Sequence, residues 1–155
     1  YFLGFKYAGL GLDTIVASFS VQQGAEVFAL KLGLTVLTLS AGFRGGEVTP
    51  LFFIGATLGS ALSLIVPLPV GLLAGVGFVA VFSGATNSPI ACTLMGLELF
   101  SGGVLSFSLF IFLALGCFVS YYISGHTGIY TSQIIGRSKY NFFSKSKGKR
   151  LFDVM

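Results

Sequence analysis

Arg44, Gly45, Gly46, Glu47 and Pro50 fall close together between two apolar segments, and the chemistry this set suits is the holding of a small anion. Pro50 fits the first turn of a helix, because its fixed φ is helical and its missing N–H would have had no intrahelical partner there. A helix is therefore expected from about Thr49-Pro50. Gly45 and Gly46 carry no β-carbon, so a ligand or another backbone can come close to the N–H groups of Glu47, Val48 and Thr49, which a helix leaves unpaired at its start. Arg44 and Glu47 add one charge of each sign at what reads as membrane depth. A plain interhelical turn is the alternative; two adjacent glycines, an acid and a proline in one turn weigh against it.

Other chemistry-bearing residues are sparse. Cys92 and Cys117 both lie inside apolar stretches, where a thiol behaves as a small hydrophobe, so neither a disulfide nor a metal role is expected. His126, in Ser124-Gly-His-Thr-Gly128, has no cysteine or second histidine at ligand spacing. The chain has no GxxxxGK[ST] loop and no Ser/His/Asp set, which argues against an enzyme and against any cofactor. Its basic residues are not spread as a nucleic-acid patch, so no nucleic-acid partner is expected.

Composition fixes the solvent. Charged residues make up 9% of the 155, against roughly 25% in a soluble domain, and 54% are hydrophobic, with a mean hydropathy of +0.92. The apolar segments are broken by Gly and Pro and lack the period-2 alternation of barrel strands, so the expected class is an all-α integral membrane fold. The start, Tyr1-Phe-Leu-Gly-Phe-Lys6, shows no signal-peptide layout, and the expectation is a fragment of a longer chain.

In chain order, Asp13 or Thr14 is expected to cap an early helix through a side-chain oxygen. Residues 25–41 are apolar except for Lys31, which must either snorkel to an interface or face a protein interior; snorkelling or a structural ion pair is expected rather than a transport role. Residues 51–66 form an apolar helix with Gly55, Ala56 and Gly59 at a spacing that admits a second helix closely, and Pro67-Leu-Pro69 ends it. The runs 70–82 and 90–100, separated by Ser83-Gly-Ala-Thr-Asn-Ser-Pro89, are each short for a core of about 30 Å. They read as half-helices joined inside protein, with an ordinary pair of tilted helices as the alternative. Glu98 is either an interfacial charge or a proton-relay acid. Residues 103–124 look like a full-length span. Arg137, Lys139, Lys145, Lys147, Lys149 and Arg150 then crowd the tail 136–155, which the positive-inside tendency puts in the cytoplasm; a topology signal is the expected role, with contact to anionic lipid as the alternative.

Gly45-Gly-Glu-Val-Thr-Pro50 resembles the GG-x-x-x-P anion-site loop of the CLC chloride channels and proton-coupled antiporters. The break Gly84-Ala-Thr-Asn-Ser-Pro89, then Leu97-Glu98, then the late tyrosine of Gly125-His-Thr-Gly-Ile-Tyr130 follow in the order of that family's last membrane helices. The resemblance covers residues 1–135, and in detail the chain is most similar to the bacterial fluoride/proton antiporter branch, where glutamate follows the paired glycines.

That resemblance implies a CLC-type inverted-repeat fold of broken, short and tilted helices, of which this chain would be the second repeat. It implies a homodimer in the bacterial inner membrane, paired through 90–124, moving halide, fluoride foremost, in exchange for protons. The anion would lie against the backbone of Gly46, Glu47 and Val48 and under the hydroxyl of Tyr130, with Glu47 and Thr49 as the proton-coupling candidates. A helix N-terminus carries about half a positive charge, so the implied site agrees with the reading of the loop itself. The family's first filter loop and its Gly-Arg-Glu-Gly gating loop belong to its first half and do not occur here. A passive chloride channel, and a structural membrane subunit that transports nothing, stand as the alternatives.

Overall fold

The computed structural model describes residues 7, 9–43, 45–102, 106–126, 128–130, 132–134, 139 and 150. These carry six helices: α1 (Leu12–Ser20), α2 (Ala25–Ser40), α3 (Val48–Leu62), α4 (Val70–Thr86), α5 (Pro89–Phe100) and α6 (Phe107–Ile123). The all-α class holds. The sole β pairing among the described residues is a single antiparallel bridge between Ile134 and Arg150.

Helix α4 is the centre: α1, α3, α5 and α6 all pack on it. Its closest neighbour is α3, and glycine explains the approach. A β-carbon placed on Gly55 would lie 2.5 Å from the carbonyl oxygen of Gly77, and one on Gly59 would run into the carbonyl of Leu73. The pairing of 55 with 77 and of 59 with 73 makes the two helices antiparallel, so the start of α3 and the end of α4 share one end of the molecule. The spacing of Gly55 and Gly59 thus does what it implies in sequence, while Ala56 packs in the cluster with Ile15, Val27 and Phe53.

Two apolar clusters flank this pair. One joins Val79, Cys92, Leu97, Leu113 and Cys117 from α4, α5 and α6; the other joins Ile15, Val27, Phe53 and Ala56. Phe78 bridges them, stacked on Phe52 at 4.1 Å between ring centroids and edge-on to Phe100 at 5.8 Å. Both cysteines are free, buried thiols inside the first cluster, in the hydrophobe role expected of them. Hydroxyls inside the helices are satisfied locally: Ser18, Thr57, Thr86 and Thr93 each donate to the carbonyl four residues back. That habit lets polar residues sit in an apolar fold without a distant partner.

Several helix limits differ from expectation. Gly11, in the left-handed conformation at φ 66°, precedes α1, no side chain caps it, and Asp13 and Thr14 lie inside its first turn. The N–H of Thr14 bonds the Gly11 carbonyl instead, at 3.1 Å. Helix α3 stops at Leu62, five residues before Pro67, and three tight turns through Ser63, Leu64 and Ile65 fill the gap. Helix α4 runs on through Ser83-Gly-Ala-Thr86, because Gly84 lies against Ser120 and Ser83 Oγ donates to the Cys117 carbonyl at 3.0 Å, both across to α6. The break is confined to Asn87, left-handed at φ 57°, and Ser88. None of the described helices is long and apolar enough to cross a membrane; α6, expected as a full span, has 17 residues, and 103–105 lie outside the described residues.

Candidate anion site

Helix α3 begins at Val48 with Glu47 as its N-cap, one residue ahead of the expected start, and Pro50 sits in the first turn. The first return bond runs from the Leu51 N–H to the Glu47 carbonyl at 3.3 Å. Val48 and Thr49 N–H therefore have no intrahelical acceptor, and Pro50 has no N–H to leave unpaired. The Glu47 side chain makes no capping bond to these groups. Residues 45–48 are exposed, while Thr49 and Pro50 are half-buried.

This turn opens on a cavity of about 390 Å³ bordered by Gly45, Gly46, Glu47 and Pro50 on one side and by Lys31, Thr35 and Thr38 of α2 on the other. The cavity brings together two of the expected anion residues, Gly46 and Glu47. Val48 and Thr49 follow immediately in α3 but do not line it, and Arg44 lies outside the described residues. Tyr130 does not line it either and is half exposed. Its chain segment is nonetheless held at the same end of the molecule: the Ile129 N–H bonds the Ala85 carbonyl at the end of α4 at 2.9 Å, and Phe82 of α4 meets Phe52 of α3 at 4.8 Å.

Lys31 departs most from expectation. It neither snorkels nor pairs with a carboxylate among the described residues; it is 5% exposed, and its ammonium donates to the carbonyls of Tyr7 at 3.0 Å and Gly9 at 2.8 Å. The signal that could have found it is the polar stripe Lys31, Thr35, Thr38, which shares one helix face at i, i+4 and i+7. Lys139 was expected only as part of a basic tail. Its ammonium instead docks on the ends of α4 and α6, on Asn87 Oδ1 and the Tyr121 carbonyl, both at 2.5 Å, and on the Gly125 carbonyl, 3.7 Å from the Tyr121 ring centre. Of the other tail charges, Arg137, Lys145, Lys147 and Lys149 lie outside the described residues. Glu98 is exposed on α5.

Residues 2–125 match the model of the voltage gated chloride channel family. The chain belongs to that family. It is 49% identical over 136 residues to a chloride/fluoride channel protein of Pseudomonas syringae pv. tomato, covering 88% of this chain and 29% of that one. A putative ClcB-like chloride channel protein of Ralstonia nicotianae is 32% identical over 115 residues, with 69% of this chain and 26% of that one covered. The fold matches a crystal structure of a CLC-type fluoride/proton antiporter with a TM-score of 0.72 at 43% identity, over 81% of this chain and 31% of that one. The chain thus spans under a third of the length of these relatives, and it has the CLC-type helical fold, with the fluoride branch among its relatives. Channels and antiporters, not enzymes, are its kin.

Proposed function

We propose that the protein to which this chain contributes exchanges fluoride for protons across the bacterial inner membrane. One observation carries the reading: an uncapped helix start, preceded by two glycines and a glutamate, opens on a cavity in a chain that is 49% and 43% identical to two proteins named for fluoride. The N–H groups of Gly46, Glu47 and Val48 receive the anion, and the Tyr130 hydroxyl donates to it from the segment tied to the end of α4. Such donors, held in place at a positive helix end, replace the water that a small anion sheds on leaving solvent. Glu47, seconded by the Thr49 hydroxyl, carries the proton. A carboxyl beside a bound anion can change protonation as the anion comes and goes, and fluoride, a strong hydrogen-bond acceptor, suits a shared site with a protonated carboxyl.

The exposed apolar residues of α5 and α6, Ile90, Leu94, Phe107 and Leu115 among them, suit a homodimer contact within 90–124 or bilayer lipid. The basic tail 136–155 is cytoplasmic in this reading. A passive channel is the second reading, favoured by the name of the Pseudomonas relative. Fluoride and pH recordings from vesicles carrying the full-length protein separate the two: an exchanger moves protons against an imposed gradient when fluoride is supplied, a channel does not.

A further inference from the structure

Among the buried residues described, Lys31 is the one that carries a charge. Of the three N–H donors of its ammonium, two go to the carbonyls of Tyr7 and Gly9, and the Phe53 ring lies below it at 5.0 Å. No carboxylate pairs with it among the described residues. An ammonium withdrawn from water without a counter-charge is expensive, and a neutral donor would serve as well if the task were only to tie Tyr7 and Gly9 to α2. Lys31 itself, however, lines the cavity that Gly46 and Glu47 also line, on the same helix face as Thr35 and Thr38.

We propose that Lys31 is the fixed positive charge of this anion path: two carbonyls hold its ammonium in place, and the third N–H faces the anion in the cavity. Net charge, not only donor number, is what the position supplies. The anion is then held between α2 and the start of α3, with the positive helix end and the ammonium acting on it together. This rests on the cavity being the anion site proposed above.

Calorimetric titration of the full-length, detergent-solubilised protein with sodium fluoride tests it through Lys31→Gln, which keeps a donor but loses the charge, and Lys31→Arg, which keeps both. Lys31→Gln is expected to weaken fluoride binding by about tenfold or more, the size of one hydrogen bond to a charged group, while Lys31→Arg stays within about threefold of wild type. Fluoride should also raise the melting temperature of wild type and Lys31→Arg but not of Lys31→Gln, a readout that a purely structural tie would not move. Unchanged binding by Lys31→Gln, or equal losses in both variants, overturns the proposal while leaving the transport reading intact. Should Lys31→Gln not fold, 15N-lysine NMR of the wild type decides: the Lys31 ammonium signal, assigned by its loss in Lys31→Arg, shifts along the fluoride titration, and a static signal overturns the proposal. Wild type that binds neither fluoride nor chloride overturns the anion site and this proposal with it.

Discussion

At the scale of single residues, the side chains around the α3 start separate into those that hold and those that shuttle. Tyr130 is proposed to hold: it offers one hydroxyl, on a segment tied to the end of α4 through the Ile129 N–H. Tyr130→Phe in the full-length protein removes that donor alone, so fluoride affinity should fall by about 1.5–3 kcal/mol at most, as one hydrogen bond to an ion is worth. Calorimetry checks this, and unchanged affinity makes Tyr130 a packing residue. Lys139 holds in another way. Burial lowers its pKa from 10.5 to about 8, so the docked amine binds a proton less readily than a detached one. Docking of Lys139 therefore releases a proton between about pH 8 and 10.5, and docked Lys139 gains on the detached side chain as pH rises through that window. Protease cleavage of the tail, corrected for the enzyme's own pH profile, should slow from about pH 8 upward and lose this trend in Lys139→Met; faster cleavage at high pH contradicts the assignment.

At the scale of elements, the α3–α4 contact governs where the proposed site sits, because the antiparallel pair puts the α3 start at the same end of the molecule as the Ala85 carbonyl, which accepts the Ile129 N–H. Gly77→Val places methyl groups where the Gly55 carbonyl and the Gly59 backbone lie. Overpacking of this kind costs typically about 1–3 kcal/mol, and the relaxation that relieves it moves α3 against α4. A lower melting temperature together with weaker fluoride binding is the expected outcome; wild-type stability would show that the helices part without consequence. Gly55 and Gly59 are legible in sequence because their spacing states the packing directly, whereas their partner Gly77 is not. Helix ends were less legible. Ser83-Gly-Ala-Thr86 reads as a break by composition, yet stays helical because α6 accepts the Ser83 hydroxyl and fills the space over Gly84, a tertiary effect that local residue types do not encode. The α3 start was read to within a residue, since proline chemistry and helix geometry agree there. For Lys31 the sequence leaves snorkelling and a protein interior both open, and the cost of burying a lysine favours snorkelling unless the two carbonyls that receive it, 22 and 24 residues earlier in sequence, are known.

At the scale of the whole molecule, the chain covers 31% of the antiporter it matches in fold, and the proposed anion path, lined by this chain alone, would leave ion and backbone dipoles without partners in a medium that charges each of them several kcal/mol. Residues 1–155 alone, reconstituted in vesicles, should release no fluoride or chloride; brisk efflux from the fragment contradicts this. In the full-length protein, the central claim is that Glu47 couples the proton to the anion leaving the α3 start. The direct measurement is fluoride-driven proton movement in vesicles bearing wild type or Glu47→Gln. The account predicts proton uptake against its gradient with fluoride as the driving ion, weaker or none with chloride, and its loss in Glu47→Gln while fluoride binding persists. Coupling that survives Glu47→Gln undiminished, or that chloride drives better than fluoride, contradicts it.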